Sequence, residues 1–173
     1  LMYTAATSLF LPLYLVAAGS CMSCLLLGLF DDIGKTAIHV KKDIPGFVGN
    51  RLQHALKREA IALVENGICE AEMVDLVVKE GFGSRLAVMG PLENSDLVGL
   101  DLTLNIHEFI LPDLNNSTEP QKLLQEKVKA GELGMSVGQG FRSWTPKKAT
   151  EARDRIQKHL VEAAKDRLKK QKF

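Results

Sequence analysis

A single uncharged amide, Asn50, is the side chain whose setting in the sequence most clearly predicts a chemical role. It follows the turn Pro45-Gly46-Phe47 and falls on the opening turn of a predicted long helix. Proline fixes its own φ and disfavours helical backbone before it, while glycine permits close backbone approach, so this turn would hold the amide at a defined position. A carboxamide can orient and polarise a ligand through hydrogen bonds, but it does not titrate usefully. The alternative is that Asn50 caps its own helix.

Histidines are the other side chains suited to acid–base chemistry, and one of the four lies close to Asn50. His54 stands one helical turn after Asn50 and therefore shares its helix face. We predict that His54 lines the same ligand site, with an ordinary surface histidine as the alternative. The histidines without such a neighbour are His39, His107 and His159.

Two further patterns are typical of functional sites in other proteins. Cys21 and Cys24 have the spacing of redox and zinc sites, but a tetrahedral zinc needs four ligands and no second cysteine pair follows, so we predict no metal site. Together with Cys69 they are too few for a disulfide framework, which indicates a reducing compartment. No G-x-G-x-x-G follows a predicted strand, so the sequence predicts no conventional dinucleotide-binding half.

The glycine-rich segment 131–140 also lacks the strand before it and the helix after it that a phosphate-binding loop requires. We therefore predict a structured surface loop. Phe141 and Trp144 follow it, and we expect these aromatic rings to anchor the loop to a helical core.

The elements that must position these residues are helices. Between 47 and 66, apolar residues that include Leu52, Leu56 and Val64 recur at helical spacing, and Gly67 is a natural stop. This pattern predicts a long core helix. The remaining predicted elements are helices over 70–80, 91–110 and 121–130, a last helix from Pro146 with Thr145 as its N-cap, and a short strand over Thr36–Val40.

One carboxylate falls on an apolar face of the predicted helix over 91–110. Asp101 lies beside Leu97 and Leu104 on that face. Because a buried carboxylate needs a partner, we predict that it makes a buried or interface hydrogen bond and has no catalytic role.

Composition indicates an ordinary globular protein, with 46% hydrophobic residues, 25% charged residues and a formal net charge of +1. These values exclude a largely disordered chain. The last predicted helix is rich in lysine and arginine, but acids are interleaved with them and aromatic residues are absent until Phe173. We therefore predict no nucleic-acid binding.

The first thirty residues contain no Asp, Glu, Lys, Arg or His. Their length permits a membrane span, yet Pro12 and Gly19 interrupt the apolar run and no basic residue precedes it. Three interpretations stay open: a membrane-inserting or targeting segment, a buried helix, or a gene-boundary artefact. Membrane contact is expected only through residues 1–30.

Four segments occur in an informative order along the chain. They are Lys42-Asp43 with Pro45-Gly46-Phe47 and Asn50-Arg51, then Arg58–Val64, then Gly90–Glu93 with Asp96–Asp101, and finally Gly138–Phe141 with Trp144. Through these segments residues 31–173 resemble the C-terminal domain of the L-3-hydroxyacyl-CoA dehydrogenase family. The resemblance fails over residues 1–30, and Ser136 and Val137 stand where family members often have lysine and threonine.

The resemblance implies an all-α fold of the 6-phosphogluconate dehydrogenase C-terminal-like type over residues 44–173. Residues 31–43 would then be a linker with a remnant strand, the last strand of a nucleotide-binding domain. Residues 1–30 remain a separate apolar segment.

The resemblance also implies an oxidoreductase that uses NAD to oxidise the 3-hydroxyl of a hydroxyacyl-CoA to the ketone, as in the β-oxidation of fatty acids. In the family a histidine oriented by a glutamate accepts the hydroxyl proton, and neither that pair nor an NAD site is identifiable here. We therefore expect the isolated chain to be inactive. Asn50 is the catalytic-site residue that the resemblance carries over, and with His54 it forms the predicted substrate site.

Two other interpretations remain open. The chain could be a non-catalytic helical dimerisation module, tethered to a membrane through residues 1–30. It could also be half of a relative that acts on a free hydroxy acid of the gulonate or carnitine type, because Gly90–Glu93 resembles a segment of such relatives.

A homodimer is the expected assembly. If the nucleotide-binding half is absent, two apolar surfaces are exposed: the strand edge at Ile38 and the face of the long helix at the domain junction. A second copy of the chain would cover them. The expected location is the cytoplasm, with the mitochondrion or, if residues 1–30 insert, a membrane surface as alternatives.

Overall fold

The computed structural model describes residues 40–170, and every regular element in that range is helical. This confirms the predicted all-α class. The predicted strand lies outside the described residues except for Val40, as do residues 1–30 with Cys21 and Cys24. The α-helices are α1 (Phe47–Glu65), α2 (Ala71–Glu80), α3 (Pro91–Val98), α4 (Leu100–Ile110), α5 (Lys122–Lys129) and α6 (Pro146–Lys170), with short 3-10 helices at Phe82–Arg85 and Leu111–Asp113.

Residues Gly46–Thr150 form one compact unit, and the part of α6 after Thr150 belongs to another. The buried apolar side chains of the Gly46–Thr150 unit are few and small: Ala62 on α1, Ala71 and Val74 on α2, and Ala149. A core of this size buries little apolar surface, so the unit leaves many large apolar side chains in contact with solvent.

The long helix α1 ends where its sequence predicts. Gly67 has a φ of +68°, and its N–H donates to the carbonyl of Val64 at 3.0 Å. The N–H of Ile68 donates to the carbonyl of Leu63 at 2.9 Å. This pair of bonds is the Schellman arrangement, in which a left-handed glycine closes a helix and satisfies its last carbonyls.

The predicted core stripe of α1 is wrong in the first half of the helix. Leu52 is 60% exposed and Leu56 is 42% exposed, whereas Ala62 is buried. The reason is that the described elements cover only the second half of α1, where side chains from Arg58 to Val64 become partly or fully buried.

The predicted single helix over 91–110 is also wrong, because Gly99 divides it into α3 and α4. Gly99 has φ +100° and ψ 135°, a conformation that glycine adopts without a Cβ penalty. Helix α3 begins with Pro91 in its first turn, and the Glu93 carboxylate accepts a hydrogen bond from the N–H of Gly90 at 3.4 Å. Apolar periodicity continues across Gly99, so periodicity alone could not locate the break.

Residues 91–113, which we call the arm, have few neighbours within the described chain. In that part of the chain, α3 approaches α4, and α4 approaches the following 3-10 helix, but neither α3 nor α4 approaches α1 or α2. Leu97 is 69% exposed and Phe109 is 81% exposed. Asp101 is exposed too, so its predicted burial does not occur within the single chain.

The start of α6 follows the predicted capping pattern. Pro146 is its first residue, and the hydroxyl oxygen of Thr145 accepts a hydrogen bond from the N–H of Lys148 at 3.2 Å. This bond satisfies one of the backbone donors that a helix leaves unpaired at its N-terminus.

Replacing this cap should weaken the fold measurably. We expect Thr145→Ala to lower the free energy of unfolding by about 1 kcal/mol, because Lys148 loses its acceptor. Thr145→Ser retains the hydroxyl and should stay close to the unchanged protein. Urea-induced unfolding at one protein concentration measures both, and equal stability of the two variants would contradict the capping role.

Candidate functional site

A cleft of about 780 Å³ opens between the second half of α1, α2 and two loops of the same unit. Ile61 and Val74 form part of its apolar surface, and His54, Arg58 and Asp75 bring polar groups to it. A mainly apolar cleft with a few polar groups is the usual form of a binding site in a protein.

The first loop of the cleft, residues 115–121, is fastened to α1 by side-chain hydrogen bonds. The backbone N–H of Asn115 donates to the Glu59 carboxylate at 2.7 Å. The amide of Gln121, which is buried, donates to the carbonyl of Arg58 at 2.7 Å. About two turns further along α1, the Glu65 carboxylate accepts a hydrogen bond at 2.9 Å from the N–H of Leu123, in the first turn of α5. We call these three bonds the clamp.

The second loop, residues 131–144, is held by charged groups and aromatic rings. The Arg142 guanidinium donates to Glu72 and to Asp75 on α2, each at 3.1 Å, and lies 5.2 Å from the centre of the Trp144 ring. Because these groups are partly exposed, such pairs contribute little stability and mainly fix position. Trp144 lines the cleft together with Phe141, so the two predicted anchor residues form part of its surface.

Of the two predicted site residues, only His54 lines the cleft. Asn50 is exposed one turn earlier on α1, and its carboxamide has no hydrogen-bond partner among residues 40–170. The N-cap of α1 is Gly46, with φ +80° and no side-chain cap. The alternative in which Asn50 caps its own helix is therefore wrong. Asn50 lies in the first turn of α1, directly after the turn Pro45-Gly46-Phe47, and its carboxamide is exposed to solvent.

Two cations of the cleft, Lys57 and Arg58, were not singled out from the sequence as site residues. Arg58 donates to the carbonyl of Ser117 through Nη1 at 3.4 Å, while its Nε is buried without a partner. An unpaired buried donor costs about 1–3 kcal/mol relative to a paired one, so this guanidinium favours an added acceptor. The sequence does contain one indication that Arg58 belongs to the site: it lies four residues after His54 and therefore shares its helix face.

The arrangement is suited to binding and orienting a ligand. Within the described residues no group of histidine, cysteine or carboxylate side chains could hold a metal ion. The glycine-rich loop does not have the setting of a dinucleotide-binding loop, because within the described residues it follows α5 instead of a strand and contains isolated bridges instead of leading into a helix N-terminus. No helix over 40–170 is long and apolar enough to cross a membrane.

Comparison with known sequences identifies relatives of this part of the chain. The profile described as "3-hydroxyacyl-CoA dehydrogenase, C-terminal domain" matches residues 46–144. The 5-formyl-3-hydroxy-2-methylpyridine 4-carboxylate 5-dehydrogenase of Mesorhizobium japonicum is 40% identical over 68% of this chain and 38% of its own length. A probable 3-hydroxybutyryl-CoA dehydrogenase of Bacillus subtilis is 40% identical over 70% of this chain and 42% of its own length.

A solved structure agrees with these relatives. The crystal structure of a 5-formyl-3-hydroxy-2-methylpyridine 4-carboxylic acid 5-dehydrogenase, described as an NAD⁺-dependent dismutase, superposes with a TM-score of 0.79 at 33% identity. The match covers 87% of this chain and 48% of that one. The chain therefore spans less than half the length of these relatives.

Proposed function

The chain belongs to the 3-hydroxyacyl-CoA dehydrogenase family, whose C-terminal domain it carries, and we propose that it supplies the substrate-binding and dimerisation half of an NAD-dependent oxidoreductase. The reaction is oxidation of the 3-hydroxyl of a hydroxyacyl-CoA to the ketone. In this proposal NAD and the proton-accepting residue belong to a nucleotide-binding half, as the family resemblance implies.

The observation that carries this proposal is the position of Asn50. Its carboxamide is exposed and unpartnered at the start of α1, within the matched region that begins at residue 46. A free amide at that point can donate to the substrate oxygen and hold it in one orientation, an interaction that strengthens as negative charge develops on the oxygen. His54 extends the same helix face toward the cleft and contacts the remainder of the substrate.

A hydroxyacyl-CoA of fatty acid β-oxidation is the favoured substrate. The relative from Bacillus subtilis, with 3-hydroxybutyryl-CoA in its name, supports this choice. The relative from Mesorhizobium japonicum is named for a free pyridine carboxylate, which supports a free acid as the second candidate. A cytoplasmic location fits either substrate.

Dimerisation forms part of the same proposal. Large apolar side chains are exposed along α1 and the arm, including Leu52 and Phe109. Exposed apolar surface of this kind marks an interaction site, and a second copy of the chain is the simplest partner.

The test is NAD-dependent oxidation of 3-hydroxybutyryl-CoA, followed as NADH absorbance. The 173-residue chain alone is expected to give no turnover. A fusion of residues 44–173 to the part of the Bacillus subtilis relative that lies outside the match, which the proposal takes to be a nucleotide-binding half, is expected to be active. Calorimetry with the same ester and with free 3-hydroxybutyrate separates the two substrate classes. A fusion that folds and binds neither compound would favour a non-catalytic dimerisation module.

A further inference from the structure

A row of polar side chains on α1 leads from the exposed amide of Asn50 into the cleft. His54 follows Asn50 by one helical turn, and Arg58 follows His54 by one more. His54 and Arg58 both line the cleft. An α-helix rises about 1.5 Å per residue, so Asn50 and Arg58 are separated by about 12 Å along the helix axis. A ligand that is held at both positions must be long enough to span that distance.

Arg58 brings hydrogen-bond donors to the cleft that the described chain does not use. Its Nη1 donates to the carbonyl of Ser117 at 3.4 Å, and its Nη2 has no acceptor among residues 40–170. Its Nε is also without a partner. Hydrogen bonds of this type are usually about 2.7–3.2 Å long, so the contact with Ser117 is weak. A guanidinium in this state can bind an anionic oxygen group strongly, because two of its donors can act together.

The other charged groups of the cleft leave an excess of positive charge. Lys57 also lines the cleft, and neither Lys57 nor Arg58 makes an ion pair in the described part of the chain. Of the two acids that line the cleft, Asp75 is paired with Arg142, and Glu119 is exposed. Three cations and two carboxylates therefore line the cleft, with the histidine counted as neutral. An anionic group is favoured beside the two unpaired cations.

The distance between Asn50 and Arg58 indicates which anion this is. In a free 3-hydroxy acid only a few covalent bonds separate the hydroxyl from the carboxylate, so the acid cannot span about 12 Å. In a CoA ester a long, uncharged pantetheine arm separates the acyl group from the first phosphate. The methyl and methylene groups of that arm suit the apolar surface of the cleft.

We propose that Arg58, assisted by Lys57, binds a phosphate group of a CoA ester whose 3-hydroxyl lies at Asn50. This contact selects CoA esters over free hydroxy acids. The proposal rests on the proposed function and specifies the class of substrate that its site takes.

The test compares two compounds that differ by a single phosphate, pantetheine and phosphopantetheine, by calorimetry with the full 173-residue chain. The unchanged chain is expected to bind phosphopantetheine about tenfold more tightly than pantetheine. Arg58→Gln should remove most of this preference, and Lys57→Gln should reduce it about threefold. Glu119→Gln should increase the preference, because it removes a negative charge that repels the phosphate.

Arg51→Gln provides a matched control. Arg51 is an exposed arginine on the same helix and does not line the cleft. Its replacement makes the same change of charge and should leave the preference within about twofold of that of the unchanged chain. Circular dichroism of each variant establishes that its helix content is unchanged. If Arg58→Gln fails to fold, the Lys57 and Glu119 variants decide the question.

A preference for phosphopantetheine that the cleft variants change and Arg51→Gln does not would support the subsite. Equal binding of the two compounds by the unchanged chain, or binding of neither, would overturn it. An equal loss for both compounds in Arg58→Gln would overturn it too, since Arg58 would then act by holding the 115–121 loop. NADH formation by the fusion tests the catalytic proposal separately, because turnover can occur without this preference and the preference without turnover.

Discussion

Replacement of Asn50 by alanine in the fused enzyme should lower kcat by about a hundredfold, the usual cost of removing one hydrogen-bond donor that acts on a developing negative charge. KM should change much less, because in the proposed role the amide contacts the reacting oxygen and not the rest of the substrate. The free energy of unfolding should stay within about 0.5 kcal/mol, since Asn50 is exposed and caps nothing.

Gln53 provides a matched control for this experiment. It is also an exposed carboxamide on α1, three residues further along the helix. Gln53→Ala removes the same chemical group from a neighbouring position to which the proposal assigns no role, so its kcat should equal that of the unchanged fusion. Similar losses in both variants would mean that the effect comes from the helix and not from the amide at position 50.

The second large effect concerns Gly140, which packs against Gly134 within its own loop. A Cβ built at Gly140 would lie 2.8 Å from the Cα of Gly134, a distance that real side chains do not tolerate. Gly134 also donates its N–H to the carbonyl of Gln139 at 2.7 Å, so the loop cannot move apart without weakening that bond. We expect Gly140→Ala to lower the free energy of unfolding by about 2–3 kcal/mol.

Ser136→Ala is the control in the same loop. Ser136 is exposed and its side chain makes no hydrogen bond in the described chain, so its loss should cost less than about 0.5 kcal/mol. Urea-induced unfolding at fixed protein concentration compares the two, because the stability of the proposed dimer would depend on concentration. Equal midpoints for both variants would contradict the close packing of Gly140.

The parts of the fold that could be predicted from the sequence are those set by local chemistry. Gly67 stops α1 because a left-handed glycine completes its last hydrogen bonds, and Thr145 starts α6 because its hydroxyl caps a free N–H. The glycine-rich loop is a surface loop, as its missing strand and helix indicated. Each of these features depends on a few neighbouring residues.

The parts that could not be predicted depend on what lies next to a residue in space. Leu52 has the spacing of a core residue, but no described element covers it. The break at Gly99 is hidden because apolar spacing continues through it. In the sequence Arg58 looks like any other arginine on a helix. Only the structure shows that its guanidinium lies against the 115–121 loop. Asn50 was identified through family resemblance, and its role as a site residue stays a prediction.

The clamp between α1 and the 115–123 segment has a consequence for the order of folding. Its bonds join residues 56 to 63 positions apart, and the whole arm lies within the loop that they close. Closing a loop costs entropy that grows only slowly with its length, so the intervening chain can stay unpaired while the clamp forms. Each chain can thus form its own tertiary contacts independently of a second copy, so association into the proposed dimer would be a later, bimolecular step.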